Sequence, residues 1–66
     1  MHVTVNGSDR EVAAGATVAE LADELSAARP GTAIAVDGNV VPRGRWPEQA
    51  LREGAVVEVV NAVQGG

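Results

Sequence analysis

The chain of 66 residues has no cysteine, no tyrosine, no phenylalanine and a single tryptophan. Without cysteine it cannot form a disulfide, a cysteine-ligated zinc site or a thiol nucleophile of its own. Its one histidine, His2, cannot make a catalytic dyad with a second histidine or a cysteine. If the chain takes part in sulfur chemistry, we therefore expect another molecule to supply the sulfur.

Basic residues are also scarce: all five are arginine, against nine acidic residues, which gives a net charge of −4. A nucleic-acid-binding domain needs a basic patch for phosphates and often several aromatic rings for base stacking. Neither is present, so we expect no nucleic-acid partner. The acidic surface favours a protein partner with a basic docking face.

Long hydrophobic runs are absent too, and no stretch approaches the length of a membrane span. The segment Met1–Thr4 lacks the basic and apolar regions of a signal peptide. We therefore expect a cytoplasmic protein without membrane association. A chain this short forms one small domain, which buries only about 60% of its unfolded surface.

The first half of the chain predicts a hairpin followed by a helix. Residues 1–5 alternate apolar and polar, Asn6-Gly7 favours a type I′ turn, and 8–12 is the expected return strand. Thr17 to Glu20 fits a capping box at a helix start, and Pro30 predicts that the helix ends near Ala28. The apolar stripe expected to face a sheet is Val18, Leu21, Ala22, Leu25 and Ala28.

The second half predicts three more strands. Residues 32–36 read as a strand, Asp37-Gly38 as a turn, and Val40-Val41 as a short or edge strand stopped by Pro42. An irregular crossing over 43–52 is expected to hold one helical turn around residues 47–50, with Trp46 and Leu51 as its anchors. Residues 55–62 predict the last strand, with Val57 and Val59 facing the helix.

This order of elements predicts an α+β fold in which one main helix covers one face of a mixed sheet of four to five strands. A hairpin, a crossing helix and a final strand beside the first describe the β-grasp fold. We predict a β-grasp domain over residues 1–61 and a flexible C-terminal tail over residues 62–66.

The tail, Ala62-Val63-Gln64-Gly65-Gly66, ends in two glycines, which lack Cβ atoms and fit a channel too narrow for side chains. Its reactive group is the α-carboxylate of Gly66. An ionised carboxylate is a poor electrophile, so another protein must activate it. The alternative is an ordinary frayed terminus.

Taken together, these residues resemble the ThiS family of ubiquitin-like β-grasp sulfur carriers. The resemblance runs over nearly the whole chain, and its most specific part is Val41-Pro42-Arg43, Trp46 three residues later, and the terminal Ala-Val-Gln-Gly-Gly. One departure is Ala55, where the family often has an acid. The other matching residues are Val5-Asn6-Gly7, Thr17-Val18, Leu21, Ile34-Ala35-Val36, Asn39, Leu51, Gly54 and Val57-Glu58-Val59-Val60.

The resemblance implies a sulfur-carrying co-substrate that is not itself an enzyme. An E1-like adenylyltransferase (ThiF-like) would use ATP and magnesium to adenylate Gly66. A sulfur donor, such as a cysteine desulfurase persulfide, would then give a thiocarboxylate. A ThiG-like thiazole synthase would accept the sulfur for thiamine. Gly65, Gln64, Val63 and Ala62 would bind the partner enzymes.

The docking face of the body is predicted on the open side of the sheet, at Val56, Glu58 and Val60, with Arg43 and Trp46 as further candidates. The alternatives are that the valines are ordinary exposed strand residues, and that Trp46 only covers the core. Two other functions stay open: a sulfur carrier for molybdopterin or cysteine synthesis, and a ubiquitin-like tag or interaction module. A small metabolic enzyme is disfavoured because the chain has no cysteine, one histidine and no evident cleft.

Overall fold

The computed structural model describes residues 1–27 and 29–61. Its five strands form one mixed sheet in the order β2-β1-β5-β3-β4. The last strand, β5, lies at the centre, parallel to β1 and antiparallel to β3. The elements are β1 (His2–Val5), β2 (Ser8–Glu11), α1 (Val18–Glu24), β3 (Thr32–Val36), β4 (Asn39–Val41), a 3₁₀ helix (Arg43–Glu48) and β5 (Val56–Asn61). The predicted β-grasp arrangement, with the last strand beside the first, is confirmed.

Two hairpins of the same kind frame the sheet. In the first turn Asn6 and Gly7 have φ of 49° and 85°, and in the second Asp37 and Gly38 have φ of 52° and 86°. Positive φ at both central residues is the type I′ requirement, so both dipeptides take the turn that their sequence favours. β4 has three residues and lies at the sheet edge, as Pro42 predicted.

Helix α1 begins as its sequence predicts. The Glu20 backbone N–H donates to the Thr17 hydroxyl oxygen at 3.2 Å, and the Glu20 carboxylate accepts from the Thr17 N–H at 2.9 Å. This reciprocal capping box satisfies two donors that the first helical turn would leave unpaired.

The helix ends earlier than predicted. α1 stops at Glu24 with Leu25 as its C-cap, not near Ala28, which lies outside the described residues. Ser26 follows with φ of 55°, in the left-handed region. Pro30 sets only the latest point at which the helix can end. The earlier end was not predicted because a left-handed residue after a helix is normally glycine, and here it is Ser26.

Two hydrogen bonds identify the helix end as a Schellman motif. The Ala27 N–H donates to the Ala22 carbonyl at 2.8 Å, and the Ser26 N–H donates to the Asp23 carbonyl at 3.1 Å. Ala27 and Ala22 are both buried, which supplies the apolar contact that accompanies this motif. The chain therefore leaves the helix and turns towards the core at Ala27, one residue before Ala28.

The hydrophobic core lies between α1 and one face of the sheet. Trp46 and Leu51 are each 4% exposed and belong to this core, which confirms them as the anchors of the crossing segment. The helical turn of that segment is Arg43–Glu48, not residues 47–50, and contains Pro47, whose fixed φ suits a 3₁₀ helix. The largest fully buried side chains of the described residues are those of Val3, Val18, Leu21, Ile34 and Val57.

Candidate functional site

The predicted reactive group lies outside the part of the chain that the structure describes. Ala62, Val63, Gln64, Gly65 and Gly66 all follow Asn61, the last described residue. Their predicted roles in activation and partner binding therefore stay predictions. Asn61 ends β5, so the tail continues directly from the central strand of the sheet.

On one side, β3 pairs with β5 from Val57 to Asn61. The register pairs Val36 with Val57 at one end and Thr32 with Asn61 at the other. The Thr32 hydroxyl also donates to the Asn61 side-chain oxygen at 2.9 Å, and Thr32 is buried. This edge of β5 is therefore paired up to the residue before the tail.

On the other side, β1 pairs with β5 over only two residues, Val56 and Val57. The side chain of Asn6, in the turn after β1, extends this contact. Its Oδ1 accepts from the Val59 N–H at 2.9 Å, and its Nδ2 donates to the Val59 carbonyl at 3.2 Å. Asn6 therefore imitates one more backbone pair.

The face of β5 that points away from α1 carries the predicted docking residues. Val56 is 48% exposed, Val60 is 62% exposed, and Glu58 between them is also exposed. Val57 is fully buried and Val59 is half-buried against the core. The predicted division of β5 between an inner and an outer face is thus correct.

Neighbouring strands add apolar residues that were not among the predicted docking residues. Ala33 lies beside Val60, and Ala35 lies between Glu58 on β5 and Val40 on β4. Val40 is 70% exposed, and the three large exposed hydrophobic residues of the described chain all lie on this face. Strand alternation predicts that Val40 and Val41 point to opposite faces of the sheet, but two identical neighbours do not indicate which of them is exposed. We call Val40, Val56, Val60, Ala33, Ala35 and Glu58 the open-face patch.

The structure does not bring Arg43 and Trp46 to this patch. Trp46 is 4% exposed and its indole Nε1–H donates to the Val41 carbonyl at 2.9 Å, inside the core on the helix side of the sheet. Arg43 is exposed, lies over the Trp46 ring and donates to the Arg29 carbonyl. As docking candidates they are therefore separate from β5, and Trp46 offers a partner almost no surface.

Apart from the open-face patch, the described residues offer few groups for catalysis or metal binding. His2 Nε2 lies 2.9 Å from a Glu11 carboxylate oxygen, and both side chains are exposed. Within residues 1–27 and 29–61, no group of three or more His, Cys, Asp or Glu side chains could hold a metal ion. No helix in these ranges is long and apolar enough to cross a membrane.

Comparison with known proteins agrees with this geometry. The model of the ThiS family matches residues 3–66. The sulfur carrier protein ThiS of Escherichia coli (strain K12) is 30% identical over 66 residues, which cover all of both chains.

Solved structures give the same result. The crystal structure of the thiamine biosynthesis protein ThiS from Geobacter metallireducens superimposes over all of both chains with a TM-score of 0.85 and 29% identity. The solution structure of a thiamine biosynthesis protein from the same organism gives a TM-score of 0.81 over 88% of its chain. The chain therefore belongs to the ThiS family.

Proposed function

We propose that this chain carries sulfur for the synthesis of the thiamine thiazole, with the Gly66 carboxylate as the carrying group. The observation that supports the proposal most is the position of the Gly-Gly end. It lies five residues beyond the central strand of a fold that matches the ThiS family through residue 66. The names of the relatives from Escherichia coli and Geobacter metallireducens favour sulfur carriage and a role in thiamine synthesis.

The chemistry begins with activation by a partner. A Gly66 carboxylate oxygen attacks the α-phosphorus of ATP on an E1-like, ThiF-like adenylyltransferase, and magnesium pyrophosphate leaves. The carboxyl carbon becomes electrophilic because AMP is a good leaving group. The chain itself acts as a recycled co-substrate, and the partner binds the ATP and magnesium.

Sulfur then replaces AMP. Attack by sulfide gives the Gly66 thiocarboxylate directly. Attack by the terminal sulfur of a partner persulfide gives an acyl disulfide, which a thiol reduces to the thiocarboxylate while a disulfide forms on the partner. The thiocarboxylate sulfur is a nucleophile that a ThiG-like thiazole synthase can accept. The chain has no cysteine, so no internal thiol can intercept the activated carbonyl.

We propose that the tail and the body have separate tasks in recognition. Gly65 and Gly66 provide a backbone narrow enough for the active-site channel, and Val63 and Gln64 set its depth through strand-like hydrogen bonds. The body would be recognised at the open-face patch, whose exposed valines surround Glu58. An apolar partner surface with a cation opposite Glu58 complements this arrangement, and its binding weakens with salt.

The test is adenylation measured by ATP–pyrophosphate exchange with a ThiF-like enzyme from the same genome. We expect exchange that depends on this chain and disappears when Gly66 is deleted, because the deletion shifts the carboxylate away from the α-phosphorus. The deletion variant should keep the unfolding temperature, since the core is built from residues 3–57. Exchange that continues without Gly66 would contradict the proposal.

A further inference from the structure

The end of β5 nearest the tail is held on its β1 side by one side chain. Backbone pairing with β1 stops at Val57, whose carbonyl accepts from the Asn6 N–H at 2.9 Å. Two residues further on, the Asn6 amide makes both hydrogen bonds to the Val59 backbone. Val59 offers one donor and one acceptor, which the amide matches with two separate atoms, its oxygen and its nitrogen, whereas a carboxylate has no donor.

The other turn has a similar contact at the opposite end of β5. The Asp37 N–H donates to the Val56 carbonyl at 2.7 Å, and the Val56 N–H donates to the Asp37 carboxylate at 3.0 Å. Asn6 and Asp37 are both the first central residue of a type I′ turn, with φ of 49° and 52°. They differ in their distance along the strand from the tail.

We propose that Asn6 is a positioning residue for the tail. Its amide fixes the last part of β5 and so sets the point from which Gly66 is presented to the activating enzyme. The inference rests on the proposed function, because presentation matters only if Gly66 is adenylated. It goes beyond the proposed function because it gives Asn6 a second role. The type I′ turn by itself would already explain an asparagine at this position.

The expected effect follows from the length of chain that is free to move. With β5 fixed through Asn61, residues 62–66 connect the body to Gly66. If the strand loosens back to Val59, the connecting segment gains three residues. The effective concentration of Gly66 at the active site of a docked enzyme then falls by about twofold from length alone.

Loosening would also displace Val60, which belongs to the open-face patch and lies next to Val59. The end of β5 would then be less ordered in the free protein, so docking and tail entry would both weaken. The bound complex could still re-form the strand. Such a loss raises KM and leaves kcat unchanged. We expect KM to rise by roughly two- to tenfold.

The experiment compares Asn6→Gly with Asp37→Gly. Glycine keeps both turns, because it accepts positive φ without strain, and each change removes one side-chain contact with β5. Each contact also lies at or beside one exposed valine of the patch, Val60 or Val56. KM and kcat for pyrophosphate exchange are measured for both variants and for the unchanged chain, together with residue-specific amide hydrogen exchange.

We expect Asn6→Gly to speed exchange of the Val59 amide and to raise KM, with kcat unchanged. Asp37→Gly should speed exchange of the Val56 amide and raise KM less than Asn6→Gly does, because it disturbs the patch at Val56 but leaves the length of the free tail unchanged. Asn6→Asp, which keeps an acceptor for the Val59 N–H, should give an intermediate KM.

Equal KM values for Asn6→Gly and Asp37→Gly, with the unchanged chain active, would overturn the positioning role and leave the proposed function intact. Unaltered exchange of the Val59 amide in Asn6→Gly would overturn it as well, without reference to any enzyme. If the unchanged chain supports no pyrophosphate exchange, the proposed function fails and the positioning role fails with it.

Discussion

The guanidinium carbon of Arg43 lies 4.3 Å from the centroid of the Trp46 ring. The two residues are three apart in a 3₁₀ helix, in which side chains at i and i+3 lie one above the other. The Arg43 side chain thus covers a ring whose indole nitrogen is already bonded to the Val41 carbonyl. The spacing between this arginine and tryptophan therefore has a structural explanation that requires no partner.

We expect Arg43→Ala to lower the free energy of unfolding by about 0.5–1 kcal/mol through loss of the cation–π contact, and by more in total because the hydrogen bond to the Arg29 carbonyl is lost as well. Trp46 is the only tryptophan, so its fluorescence reports both local solvent access and unfolding in denaturant. Arg45→Ala, at an exposed position of the same helix, is the matched control and should change stability by less. Equal effects of the two substitutions would contradict a stabilising contact with Trp46.

Leu21→Ala tests the packing of α1 on the sheet. Leu21 is 1% exposed, so truncation should cost about 2–5 kcal/mol of unfolding free energy in a denaturant titration. Leu25→Ala, at the half-buried C-cap, should cost clearly less. A Leu21 variant as stable as the unchanged chain would show that the helix face is wrongly assigned.

Ser26→Gly tests the early end of the helix. Ser26 has φ of 55°, and a non-glycine residue in this region is disfavoured by roughly 1 kcal/mol. Glycine should therefore raise the unfolding temperature, whereas Ser26→Ala should not, because alanine keeps the Cβ clash. Stabilisation by alanine and loss of stability with glycine would instead indicate that α1 continues towards Ala28.

Val60→Asp tests the open-face patch. Val60 is 62% exposed, so the fold should lose no more than about 1 kcal/mol, while an unpaired charge in the interface should raise KM for adenylation on the order of tenfold. Ala13→Asp adds the same charge at an exposed position away from β5 and should leave KM unchanged. A similar KM for both variants would show that the activating enzyme does not bind this face.

Local signals in the sequence were sufficient for most of the fold. Asn6-Gly7 and Thr17 to Glu20 gave the first turn and the helix start because their hydrogen bonds join residues close in the chain. The predicted end of α1 was wrong because Ser26 takes a left-handed conformation that serine seldom adopts. The predicted position of the helical turn, residues 47–50, was wrong because the burial of Trp46 decides that the turn forms at Arg43–Glu48. This burial is a tertiary contact.

For the candidate site, the sequence predicted the residues of β5 that share a face but not the residues that neighbouring strands add. Alternation within β5 placed Val56, Glu58 and Val60 on one face. Val40 and the two alanines of the patch depend on the register between strands, which a single sequence does not specify. The bonds from Asn6 to Val59 connect residues 53 positions apart, so only the assembled sheet reveals them.

The most direct test of sulfur carriage is the intact mass of this chain after incubation with ATP, magnesium, a ThiF-like enzyme and a sulfur donor. We predict a mass gain equal to the replacement of one oxygen by one sulfur, located at Gly66 by fragmentation and absent from the Gly66 deletion variant. An unchanged mass, with an activating enzyme that converts another carrier under the same conditions and adenylates this chain, would contradict the account.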